Sequence, residues 1–151
     1  MKMKTGDYKV ITLEHPEMGF LTEFFTPRKD FRALAHMALT IADDLERGYK
    51  IVSILRVDKE TYLNLRINNV VDDYTYQDQT ERNIRASYYR GEVSLKVMKE
   101  TIFQCESYKG TCLRRLDSLL GRLEREDFDC HNELAIELYN MYLSPLLLAH
   151  I

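Results

Sequence analysis

The sequence predicts an α+β fold: an N-terminal ββαββ antiparallel sheet with one packed helix, followed by a C-terminal helical region of three to four helices. Three observations carry this. Short β-rich runs separated by turn residues occupy the first part of the chain. One run of apolar residues at helical spacing lies between them. The second part keeps a heptad-like apolar stripe with few turn residues. The expected organisation is a single α+β domain over 1–151, with the sheet region at about 5–68 and the helical region at about 78–151.

Residues 8–13 and 20–25 read as a hairpin joined by a Pro- and Gly-bearing turn at Glu14–Gly19. Thr26-Pro27 opens a helix, because proline's missing N–H has no partner in a first turn anyway. Phe31, Leu34, Ala35, Ala38, Ile41, Ala42 and Leu45 form its expected core stripe, and Gly48 stops it. A second hairpin is expected from strands 50–57 and 61–67 around Asp58-Lys59-Glu60, since Leu63, Leu65 and Ile67 alternate with polar residues. Residues 68–78 read as an irregular junction, and Asp78 with Glu81 as the cap of a helix over 79–90.

Beyond Gly91, the residues Leu95, Met98, Ile102, Cys105, Cys112, Leu116, Leu119 and Leu123 share a stripe, with Lys109 in its gap. One helix over 92–126 and two helices broken at Gly110 both fit. The break is favoured, because glycine weakens a helix interior and Thr111 could cap a restart. A last helix over 131–143 is apolar on nearly every side, and Ser144-Pro145 ends it.

Composition narrows the function classes. The 151 residues carry a formal charge of −3, so a strong non-specific nucleic-acid binder is disfavoured. Three cysteines without framework spacing fit reduced thiols and a cytoplasmic protein. No signal peptide and no membrane-length apolar run is expected.

No phosphate loop or nucleophile elbow is present, and no cofactor is expected. Cys105, Cys112, Cys130 and His131 have zinc chemistry but not zinc spacing, so no metal is expected. His36, with Thr40, Asp43 and Arg47 around it, could serve as a general base, but a solvated helix face looks the same.

Two segments suit binding. Tyr74, Tyr76, Arg82, Arg85, Tyr88, Tyr89 and Arg90 combine the residue types that dominate hot spots, and could receive a protein or an anionic small ligand. Leu138, Met141, Tyr142, Leu146, Leu147, Leu148 and Ile151 form an apolar C-terminal surface expected at a homodimer interface.

The expectation is therefore a non-enzymatic, homo-oligomeric binding protein of inhibitor or sequestering type, as an accessory protein of a phage or mobile element could be. The alternatives are a small enzyme with scattered acid/base residues, and a single-stranded nucleic-acid binder using Tyr62, Arg66 and Lys9 on a sheet face.

Overall fold

A computed structural model describes residues 7–28 and 30–143. The fold is α+β, with N-terminal strands followed by helices. Strands β1 (Tyr8–His15), β2 (Gly19–Phe25) and β3 (Lys50–Val57) are accompanied by helices α1 (Phe31–Glu46), α2 (Lys59–Tyr89), α3 (Leu95–Arg125) and α4 (Glu133–Leu138). A π-helical turn, Tyr139–Leu143, follows α4. The chain divides into two compact units, Met1–Leu63 and Asn64–Ile151, and the boundary falls inside α2.

In the first unit β1 is the central strand of an antiparallel sheet ordered β2-β1-β3. The first hairpin forms as expected. His15 organises its turn by accepting the backbone N–H groups of Glu17 (3.0 Å) and Met18 (3.1 Å) at Nδ1. Cross-strand partners share a face. Lys9, Ile11 and Leu13 therefore lie on one side with Phe25, Glu23 and Leu21 of β2 and Arg56 and Ile54 of β3. Tyr8 and Val10 lie on the other side with Phe24 and Leu55. Central β1 is buried on both faces. Tyr62, in the first turn of α2, is 3% exposed; its ring packs tilted against Tyr8 and edge-to-face against Phe24, with centroids 4.7 and 5.8 Å away.

The expected fourth strand is absent; residues 61–67 are helical. Asp58 decides this locally. Its carboxylate accepts the Thr61 N–H at 2.8 Å and its carbonyl the Tyr62 N–H at 2.9 Å, so the expected turn is a helix cap. Apolar alternation over five residues could not outweigh a capped helix that continues for 31 residues. The supposed junction at 68–78 and the supposed start at 79 both lie inside that helix. Tyr62 is consequently a core residue on a helix, and neither it nor Arg66 belongs to a sheet face.

Helix α1 begins later than expected. Asp30, not Thr26, is its cap, accepting the Ala33 N–H. Gly48 ends it as expected, with φ +96°. The helix is rotated away from its expected stripe. Ala33, Met37, Thr40 and Ile41 are half-buried and Asp44 is buried, while Phe31 is 91% exposed and Leu34, Ala35, Ala38 and Leu45 are also exposed.

The second unit is built on the hairpin of α2 and α3. Gly91 (φ +75°) turns the chain, accompanied by the Gly91 N–H to Tyr88 and Glu92 N–H to Ser87 carbonyl bonds of a left-handed helix end. Helix α3 is continuous. Among the described residues, a Cβ at Gly110 would meet only the flexible Arg114 side chain beyond its own helix backbone, and Thr111 Oγ1 bonds back to the Ser107 carbonyl instead of capping. Cys105, Cys112, Leu116, Leu119 and Leu123 are buried as the stripe predicts. On α2 their counterparts are Ile67, Val70, Val71 and Tyr74. Asn64 and Asn68 hold the chain after α3: Asn64 Nδ2 donates to the Asp129 carbonyl (2.9 Å), Asn64 Oδ1 accepts the His131 N–H (2.8 Å), and Asn132 Nδ2 donates to Asn68 Oδ1 (2.9 Å). The expected 131–143 helix is a short α4, capped by Asn132, that passes into the π-helical turn.

Candidate functional site

The candidate site is a cleft of about 550 Å³ in the first unit, between the Lys9 face of the sheet and the start of α1. Its lining includes Asp7, Lys9, Phe25, Pro27, Arg28, Arg32, Ala33, Leu34, His36, Met37 and Arg56. The volume falls within the range of small-molecule sites. Five of these residues are basic or imidazole-bearing and one is acidic.

Each basic residue is placed by a separate element. Lys9 stands on central β1, directly opposite Arg56 of β3 and Phe25 of β2. Arg32 and His36, four apart, share one side of α1. Arg28 is neutralised by Asp30, with its Nε 3.1 Å from Oδ1 and Nη2 3.1 Å from Oδ2. Desolvation opposes the Asp30 charge, but the Arg28 contact and the Ala33 N–H together hold the carboxyl below its ordinary range. Lys9, Arg32 and Arg56 have no ion pair among the described residues.

Like charges directly opposite on neighbouring strands are destabilising. Lys9 and Arg56 hold that arrangement, and Arg32 of α1 lines the same cleft. An anion placed in the cleft would relieve that repulsion and accept charge-assisted hydrogen bonds. Phe25, Ala33 and Met37 supply an apolar wall beside the charges. His36 has no bonded carboxylate among the described residues, since Asp43 pairs with Arg47 at 3.5 Å.

The sequence-predicted Tyr/Arg residues are spread over one long helix and its end. Each arginine has a carboxylate: Arg82 Nε lies 3.1 Å from Asp78, Arg85 Nη2 3.3 Å from Glu81, and Arg90 Nε 2.7 Å from Glu92. Tyr74 is buried; burial and a hydrogen bond with Tyr142 push its hydroxyl up to about 12. Tyr88 and Tyr89 meet edge to face at 5.5 Å, and Tyr76 and Tyr89 are exposed. Of the C-terminal residues, Leu138 is buried, Met141 and Tyr142 are exposed, and Leu146, Leu147, Leu148 and Ile151 lie outside the described residues.

Cys105 and Cys112 are buried on α3, where burial pushes both thiols up. Cys130 Sγ contacts the Asn132 carbonyl at 3.7 Å. Among the described residues no helix is long and apolar enough to cross a membrane.

Sequence reasoning missed the cleft because its cations are scattered over positions 9, 32 and 56. A balanced total charge hides a local surplus, and cross-strand opposition depends on register. The one available signal was the i,i+4 spacing of Arg32 and His36, which taken alone describes any solvated helix face. Compared with known proteins, the chain matches no family model, no curated protein and no solved structure.

Proposed function

We propose that this chain is a non-enzymatic binding protein that sequesters a small anionic ligand in the Lys9–Arg32–Arg56 cleft. The observation that carries this reading is the opposition of Lys9 and Arg56 across β1 and β3, with neither cation paired among the described residues. A ligand bearing phosphate or carboxylate groups meets the cations, and its apolar part rests on Phe25 and Met37. The arginines of α2 are weaker candidates, because their own carboxylates already occupy them. The three free cysteines suit a reducing, cytoplasmic setting.

The test is thermal unfolding and calorimetric titration with pyrophosphate and with nucleoside phosphates. The parent is expected to be stabilised, by about 2.7 kcal/mol at a hundredfold excess over Kd. Lys9→Ala with Arg56→Ala removes the effect, and Arg82→Ala with Arg85→Ala retains it. Equal response of the two double variants, or none from the parent with any of these anions, overturns the proposal.

A further inference from the structure

Edge strands of monomers are normally short, charged or covered, because a free edge recruits other strands. Strand β3 is charged only near its ends, at Lys50 and Arg56, and its pairing with β1 shifts register at Val52; its middle is aliphatic. No strand pairs with its far edge among the described residues. Ile51, Val52, Ile54 and Leu55 are exposed, Ile54 to 58%. Ile54 and Leu55 point to opposite faces, so β3 is uncovered on both sides among the described residues. Strand β2, at the other edge, is half-buried over residues 21–25.

Helix α1 extends the same surface. Its polar flank lies over β2, where Thr40, Asp43 and Arg47 line a shallow cleft with Leu21 and Glu23. At 3.6 residues per turn, the opposite flank carries Leu34, Ala38 and Leu45 and lies on the β3 side. Leu34 and Leu45 are nearly half exposed. The uncovered apolar surface therefore sits where a fourth strand and its helix would continue the layer.

We infer that β3 and the Leu34–Leu45 flank of α1 form a self-association surface, on which a second copy of this chain pairs its own β3 antiparallel to the first. A two-fold axis at Ile54 gives a six-stranded sheet with the two α1 helices side by side. Charge fits this occupant. Antiparallel pairing brings the Lys50 end of each strand to the Asp58 end of the other, and sets Arg56 opposite aliphatic residues. The same edge docked parallel to itself would stack Lys50 on Lys50 and Arg56 on Arg56. Eight residues of strand supply about eight main-chain hydrogen bonds, and a standard interface carries about ten.

The test combines light scattering with site-directed crosslinking on the full chain. The parent is expected at twice the monomer mass. Ile54→Lys places like charges on the axis and yields a monomer with an unchanged far-ultraviolet spectrum, whereas Met141→Lys leaves the dimer intact. Opposed residues have Cα atoms about 4.5–5.5 Å apart, within disulfide reach. In a Cys130→Ser background, Ile54→Cys therefore forms a covalent dimer under mild oxidation by a diamide reagent, and Leu39→Cys on the far side of α1 does not. This crosslink reports even if Ile54→Lys fails to fold. A parent that stays monomeric across the accessible concentration range, a dimer lost with Met141→Lys and kept with Ile54→Lys, or equal crosslinking at 54 and 39, overturns the inference.

Discussion

Replacing Lys109 with alanine tests the polar layer in the helical hairpin. Lys109 Nζ lies 2.9 Å from Asp78 Oδ1 and 3.1 Å from Glu81 Oε2, and sits 5.2 Å from the Tyr74 ring centroid. Its side chain is 18% exposed and that of Glu81 10%, so both charges are largely desolvated. Burial opposes each charge. The mutual hydrogen bonds outweigh it, raising Lys109 and lowering Glu81; at Asp78 the Lys109 bond itself dominates the lowering. Removing one partner of a buried ion pair costs about 3–5 kcal/mol, because the other charge is left uncompensated. Here Glu81 keeps Arg85 and Asp78 keeps Arg82, and Asp78 is a third exposed. The expected loss is therefore lower, about 2–3 kcal/mol. Urea unfolding followed by circular dichroism measures it. Lys109→Met with Glu81→Leu should recover part of the loss, since Asp78 remains in the layer and keeps only Arg82. A loss below about 0.5 kcal/mol for Lys109→Ala, the size of an exposed pair, would refute the reasoning.

Further outcomes follow from other contacts. Asp44 is 1% exposed and its Oδ2 has no donor among the described residues, so a proton on Glu23 supplies the missing bond. Burial and the Asp44 bond push Glu23 up to about 7, so the folded state holds a proton that the unfolded state releases near pH 4.5. Stability is expected to fall as pH rises between those values and to flatten above 7. Glu23→Gln should remove that slope in pH-dependent unfolding and gain roughly 1–2 kcal/mol at pH 8. Asp78 and Glu81 act in the opposite sense: their contribution is full above their unfolded values and is lost on acidification, a loss that Lys109→Ala should reduce in an acid titration. Gly48→Ala should cost about 1–2 kcal/mol in denaturant unfolding, since φ is +96° and the new Cβ would meet His15 Nε2 at 3.0 Å. Asn64→Ala removes its bonds to the Asp129 carbonyl and the His131 N–H, and should cost about 1–3 kcal/mol and speed amide exchange at His131.

Features that depend on neighbours along the chain are legible in the sequence. The first hairpin, the Gly48 stop, strand β3 and the α3 stripe follow from turn residues and periodicity; the first three form at the expected positions, and the stripe is buried from Cys105 to Leu123 while Leu95 is exposed. Even the Lys109 gap in that stripe was visible as a gap. Tertiary structure decided what fills it, because Asp78 and Glu81 come from another helix. Those same carboxylates hid α2: its inward positions turn polar in the second half, so the apolar period fades although the helix continues. The rotation of α1 is also a tertiary outcome. A three-stranded sheet offers too little width to cover its whole apolar stripe, and Asp44 turns inward to meet Glu23. The cleft depends most on distance in sequence. Lys9 and Arg56 face each other through strand register, and Arg32 joins them through the placement of a helix. Periodicity reports which side of an element is buried; it carries no information about which distant charges that burial brings together.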